Sequence, residues 1–236
     1  MKRRTSSSNT ELNSRFSISA ILDLAIILGV LALCILVLPF LNPFLRHGHG
    51  LAAVLAAAAF QFLAEGVAPF ALMAVRGEAF SSYGFTRSNI GISLGFALLL
   101  ALFYDAALSW HSGALLWIPL LRQPAVRTAL SVGFPLSILG VVIALLAWGF
   151  TEGFFGIYFA RKVNLAWGHD GTGWFAPGVL AFALFNGIFH VMVGQGWEGF
   201  ISSFASGYAI AVIPAVTGNA WGGALVQALT DAVGRL

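Results

Sequence analysis

Few side chains in this sequence can do chemistry, and most of those lie inside apolar runs. Glu152 sits in "WGFTEGFFGIYFARK" (148–162), where no other charge appears before Arg161. His190 lies in "LFNGIFHVMVG" with Asn186 four residues earlier, and Asp231 follows Gln227 by four in "ALVQALTDAV". Residues at i and i+4 share a helix face, so each of the last two stretches can present two polar groups to one spot. A buried carboxylate beside an imidazole and neutral amides is a set that can activate water. The carboxylate serves as general base, and its neighbours orient it or donate to developing negative charge.

Three further acids fall in apolar runs: Asp23, Glu65 and Asp105. Ionisable groups at membrane depth are costly and usually face the bundle interior. Asp23 is within two turns of its helix start and Asp105 near the end of its own, positions that suit structural or interfacial roles. Glu65 is mid-run, followed by Gly66 and Pro69, so it reads equally as a functional acid or as a group satisfying backbone donors at a kink.

The composition says what must position these groups. Hydrophobic residues make up 59% of 236 and charged residues 9%, with a mean hydropathy of +0.89. A soluble domain carries roughly 25% charge, so the expected class is an all-α, polytopic transmembrane bundle. The net charge of +3 implies no nucleic acid, because the basic residues lie mainly between apolar runs. Cys34 is the only cysteine, which excludes an internal disulfide.

A spanning helix needs about 20 mostly apolar residues. Candidate spans are 18–41, 51–75, 90–110, 128–150 (running on to about 160), 173–194, 200–216 and 220–235, giving seven, or eight if "ALLWIPLL" (114–121) and its neighbours divide differently. Residues 1–16 read as a disordered cytoplasmic tail and 17–236 as one integral membrane domain. With the N-terminus inside, Lys2, Arg3, Arg4, Arg15, Arg76, Arg87, Arg161 and Lys162 face the cytoplasm, against Arg46, Arg122, Arg127 and Arg235 outside. That bias predicts a multi-pass protein with a cytoplasmic N-terminus, and the expected setting is a bacterial-type inner (plasma) membrane. Gly149 and Gly153 form a G-x-x-x-G pair around Glu152, with Gly156 beyond, a pattern that lets a second helix approach closely.

The second half, about residues 80–236, resembles the CPBP (Abi, CAAX-protease and bacteriocin-processing) family of intramembrane proteases. That family carries E-E-x-x-x-R, then F-x-x-x-H, then H-x-x-x-N or D on three core segments. The matching stretches are "TEGFFG" (151–156), "NGIFH" (186–190) and "QALTD" (227–231), preceded by "FSSYGFTRSNIG" (80–91) and a "TGN" turn (217–219). His190 and Asp231 match outright. Asn186 stands for the Phe and Gln227 for the second His. In one register Thr151 replaces the first Glu, Glu152 is the second and Gly156 replaces Arg. In the other, Glu152 is the first Glu and Gly153 takes the place of the second.

The resemblance implies an intramembrane endopeptidase cutting a hydrophobic, membrane-embedded and possibly prenylated peptide. Glu152 would be the base, His190 would hold water or the oxyanion, and Asp231 would orient His190. Gln227 and Asn186 would be neutral donors. No cofactor is expected and no metal, since zinc sites use three or four ligands while His47, His49, His111 and His169 lie outside the apolar runs. The missing motif residues keep open a catalytically inactive scaffold or immunity protein that binds a partner protein. Third, Glu65, Glu152 and Asp231 would suit a small-solute or proton-coupled transporter.

Overall fold

The computed structural model describes residues 7–47, 50–112 and 124–230. It is all-helical over that range. The elements are α1 (Ser7–His47), α2 (Gly50–Gln61), α3 (Val67–Arg76), α4 (Ile90–Ser112), α5 (Pro124–Ser131), α6 (Leu136–Ala144), α7 (Glu152–Ala166), α8 (Pro177–Met192), α9 (Gly196–Thr217) and α10 (Trp221–Thr230). A π-helical turn, Phe62–Gly66, joins α2 to α3, and another, Leu145–Thr151, joins α6 to α7. Each pair therefore runs as one rod with a widened turn in the middle.

Among the described residues five helices are long and apolar enough to cross a bilayer: Ile18–Phe40, Gly50–Arg76, Ile90–Ala107, Leu136–Ala166 and Gly196–Thr217. They mark the chain as an integral membrane protein. The expected count of seven to eight was reached by assigning 173–194 and 220–235 as full spans. The first of these starts only at Pro177, whose fixed φ suits the first helical turn, leaving a 16-residue helix. The second is described as Trp221–Thr230, and residues 231–236, like the segment 114–121, lie outside the described residues.

Two boundaries need correction. Residues 7–16 of the expected disordered tail are helical, continuing α1, because each residue added to an existing helix gains a backbone hydrogen bond without a new nucleus. The expected span 128–150 is broken at "VGFP" (132–135), so that α5 stands apart and the true span is Leu136–Ala166. This moves Glu152 to the middle of its rod. Glu65 lies near the middle of Gly50–Arg76, about 16 Å from Arg76 at 1.5 Å per residue.

Neighbouring residues on a helix point about 100° apart, and Phe154 and Phe155 use this to pack α7 on two sides. Phe154, fully buried, stacks on Phe70 of α3 at 4.7 Å and meets Phe80, Tyr83 and Phe85 edge-on or tilted. Phe155 faces Phe182 and Phe185 of α8. Such pairs are worth roughly 0.5–1.5 kcal/mol each beyond area burial, a relevant term where lipid tails remove most of the hydrophobic drive between helices.

On its remaining side α7 meets α10. A Cβ on Gly153 would lie 2.8 Å from the Ala224 Cα, and one on Gly149 would lie 2.6 Å from the Ala228 methyl. The G-x-x-x-G pair thus does serve close helix approach, and it brings Gln227 beside Glu152. At the far end of α10, the Asn219 side chain donates to Thr86 O and Ser88 O at 2.8 and 2.7 Å and accepts from Trp221 N at 3.0 Å. These bonds tie the 217–219 turn to the 80–91 segment, with Gly218 at φ 69° closing α9.

Candidate active site

The two widened turns face one another. Gly66 makes room for the contact, since a Cβ there would sit 2.9 Å from the Thr151 methyl. Thr151 itself donates its hydroxyl to Leu146 O, five residues back, at 2.9 Å. Its side chain is thus used inside the π-turn, a distortion frequent at functional sites. Glu65 ends one widened turn and Glu152 follows the other, and the two carboxylates interact through space.

Neutral amides hold them. Gln61 donates Nε2 to Glu152 Oε2 at 3.5 Å, and the Gln227 side chain is brought beside Glu152 by the close approach of α10 at Gly153. Among the described residues neither carboxylate has an ion-pair partner. Glu65 Oε2 and Gln227 Oε1 are buried without a hydrogen-bond partner. An orphaned buried oxygen is costly, so the centre is not arranged for stability.

Glu65, Glu152, Asn186 and His190 line one cavity of about 20 Å³, walled otherwise by Leu31, Phe155, Phe182, Phe185 and Phe189. That volume is enough for a single water. The expected residues therefore divide. Glu152 and His190 do share a cavity, and Gln227 supports Glu152. Asn186 is near, but its amide donates to Ser203 O at 2.8 Å and to Ser206 Oγ at 3.5 Å, so it clamps α8 to α9 and has no donor left for an oxyanion. Asp231 lies outside the described residues.

A different residue orients the imidazole: His190 Nδ1 pairs with Gln195 Oε1 at 2.8 Å. An amide oxygen only accepts, so Nδ1 carries the proton and Nε2 is left as an acceptor. Gln195 sits in the turn between α8 and α9, where no motif points to it. Of the two roles open to Glu65, a functional acid or a satisfier of backbone donors at a kink, the second finds no support at Oε2, which has no partner among the described residues. The signal for it was present, since Gln61 and Glu65 repeat the i, i+4 spacing of Asn186/His190 and Gln227/Asp231.

Glu65 and His190 also border a much larger chamber of about 1410 Å³ between α1, α2, α4 and α9. Leu31 and Phe189 line both spaces. The water-sized cavity is in this way the inner recess of a chamber large enough for a ligand.

Asp23 and Lys162, by contrast, are met by opposite charges, while Asp105 Oδ1 is buried with no hydrogen-bond partner among the described residues. Asp23, with no exposed surface, bonds Arg76 at 2.9 Å and Lys162 at 2.8 Å, and Lys162 reaches Glu78 at 2.7 Å. Tyr83 donates its hydroxyl to Glu78. Burial first, and this bond second, raise the Tyr83 phenol well above its ordinary range, so it stays a donor. The cluster joins α1, α3 and α7, and it takes Lys162 out of the free positive charge counted for orientation. At the same end, in the α7–α8 loop, Asp170 is pulled below the usual carboxylate range by hydrogen bonds from Thr172.

Fold and site together define an integral membrane protein, all-helical over the described residues, with an uncompensated acidic centre next to a large, partly open chamber. No family model, no curated protein and no solved structure matches the chain. Its likeness to the CPBP family rests on the motif residues alone.

Proposed function

We propose that the chain is a CPBP-type intramembrane peptidase. The observation that carries this reading is that Glu152 and His190, from separate helices, line one water-sized cavity that adjoins a ligand-sized chamber. In the proposed reaction Glu152 takes a proton from a water held by His190 Nε2. The water oxygen bonds to the amide carbon, the carbon–nitrogen bond breaks, and the leaving amine receives the proton from Glu152. Gln227 and Gln61 keep the Glu152 carboxylate aimed, and Glu65 supplies the second acid that Thr151 does not. The substrate is a hydrophobic membrane-embedded peptide, and the N-terminus is cytoplasmic.

The test is cleavage of a fluorogenic transmembrane peptide library by the purified chain in nanodiscs. Glu152→Gln and His190→Ala each lower turnover at least 100-fold, the low end for loss of a general base. Equal turnover by wild type and both variants would remove the hydrolytic reading. A second reading, proton-coupled transport, draws on the mid-span Glu65–Glu152 pair. It expects proton flux across liposomes that Glu65→Gln stops, with no peptide cleaved.

A further inference from the structure

The charge of the large chamber is one-sided, although the Gln195 amide and the Trp148 indole give it neutral N–H groups as well. Two carboxylates border it, Glu65 and Glu198, the latter in the first turn of α9, and among the described residues no lysine or arginine does. Four of its hydroxyls spend their protons on backbone carbonyls. Ser202 donates to Gly199 O at 3.2 Å, Ser206 to Ser203 O at 3.1 Å, Tyr208 to Trp174 O at 3.1 Å and Thr230 to Val226 O at 2.8 Å. His190, with its proton committed to Gln195, adds another acceptor. The rest of the wall is apolar and aromatic, including Trp148, Phe60, Phe103 and Phe204.

A neutral lipid or prenyl chain would use the apolar wall and leave these acceptors and the two carboxylates unmatched. An anion would meet carboxylates and lone pairs with no counter-charge. A hydrophobic cation satisfies both halves, because aromatic faces attract it and a buried carboxylate gains a partner. We propose that the chamber is a binding site for a lipophilic monocation, an organic ammonium or phosphonium of roughly drug-like size, with Glu65 as its principal counter-ion and Glu198 at its entrance. The site does not depend on the hydrolytic reading, since occupancy is measured without turnover.

Equilibrium dialysis of radiolabelled tetraphenylphosphonium against the purified full chain in an uncharged maltoside detergent, with protein-free micelles subtracted, tests it. The expected result is one saturable site per chain. Triphenylphosphine oxide, similar in shape and neutral, competes at least tenfold more weakly than unlabelled tetraphenylphosphonium. Glu65→Gln weakens binding at least fivefold, Glu198→Gln less, and Ser202→Trp, which narrows the chamber, weakens it as well. Absence of saturable binding to the wild-type chain, or equal competition by the neutral compound, overturns the proposal without any variant. Wild-type affinity in a Glu65→Gln chain of unchanged elution volume and helical circular dichroism overturns it as well.

Discussion

Asp23 and Glu65 are both carboxylates carried into the bundle by apolar helices, yet their surroundings are opposite. Asp23 is met by Arg76 and Lys162, and Lys162 in turn by Glu78, so every charge in that cluster has a counter-charge within 3.0 Å. Glu65 meets a second carboxylate and amides, and one of its oxygens has no partner. The first arrangement joins three helices by ion pairs. The second gains nothing for folding, and an acid kept at such a place is the mark of a working group. Depth already set the two acids apart, Asp23 near its helix start and Glu65 mid-run, and their neighbours give that difference its physical content.

The comparison is broken most forcefully at Lys162. Lys162→Met leaves Asp23 buried without one of its two cations, and removing one partner of a buried pair costs roughly 3–5 kcal/mol. Thermal unfolding in mild detergent should show that loss, and Asp23→Asn added to it should recover most of it. If Lys162→Met alone is neutral, the cluster is not the staple described. Next in size is Gly153→Val, which drives a side chain into the Ala224 backbone. Overpacking costs about 1–3 kcal/mol, and here it also parts Gln227 from Glu152. The same assay should report that cost, and peptide turnover should fall further than stability explains.

How much of this was readable in the chain follows from what each signal encodes. Hydropathy and the "GFFG" spacing encode local helix and close approach, and both the all-helical bundle and the Gly149/Gly153 contact with α10 agree with them. Helix interruptions were harder. The break at "VGFP" was hidden because its flanks are apolar enough to read as one run. The two π-turns leave no mark at all, since a widened turn is selected by packing against its opposite number, Gly66 against Thr151. The site was half visible for the same reason. Motif spacing pointed to Glu152 and His190, while Glu65 comes from a helix outside the resemblance and Gln195 from a turn, and only the tertiary fold brings them in. Asn186 shows the reverse error, where a polar residue at motif spacing serves a helix–helix clamp.

Glu65→Gln sharpens the contrast from the other side. If the acidic centre is held against its own stability, the neutral amide of the same shape should raise stability by about 0.5–2 kcal/mol, the usual scale of a stability–function trade-off. The same thermal scan that registers the Lys162→Met loss would then move upward. A fall comparable to that of Lys162→Met would mean that Glu65 is paired after all, and the two clusters would no longer differ in kind.

The smallest expected effect is at Gln195, whose side chain has one described bond, to His190 Nδ1 at 2.8 Å. Gln195→Leu removes one neutral hydrogen bond, about 0.5–1.5 kcal/mol of stability, and leaves the ring free to turn and to change which nitrogen carries its proton. A purely structural His190 would register only that small loss. A His190 that must present Nε2 to water loses turnover by about tenfold or more with KM little changed, because the defect lies in the reacting geometry and not in substrate binding. Gln195→Glu, which still accepts from Nδ1, should restore turnover while Gln195→Leu does not. Stability and turnover that fall together, with no rescue by the acid, would place His190 among the helix clamps beside Asn186 and leave Glu152 without a partner for hydrolysis.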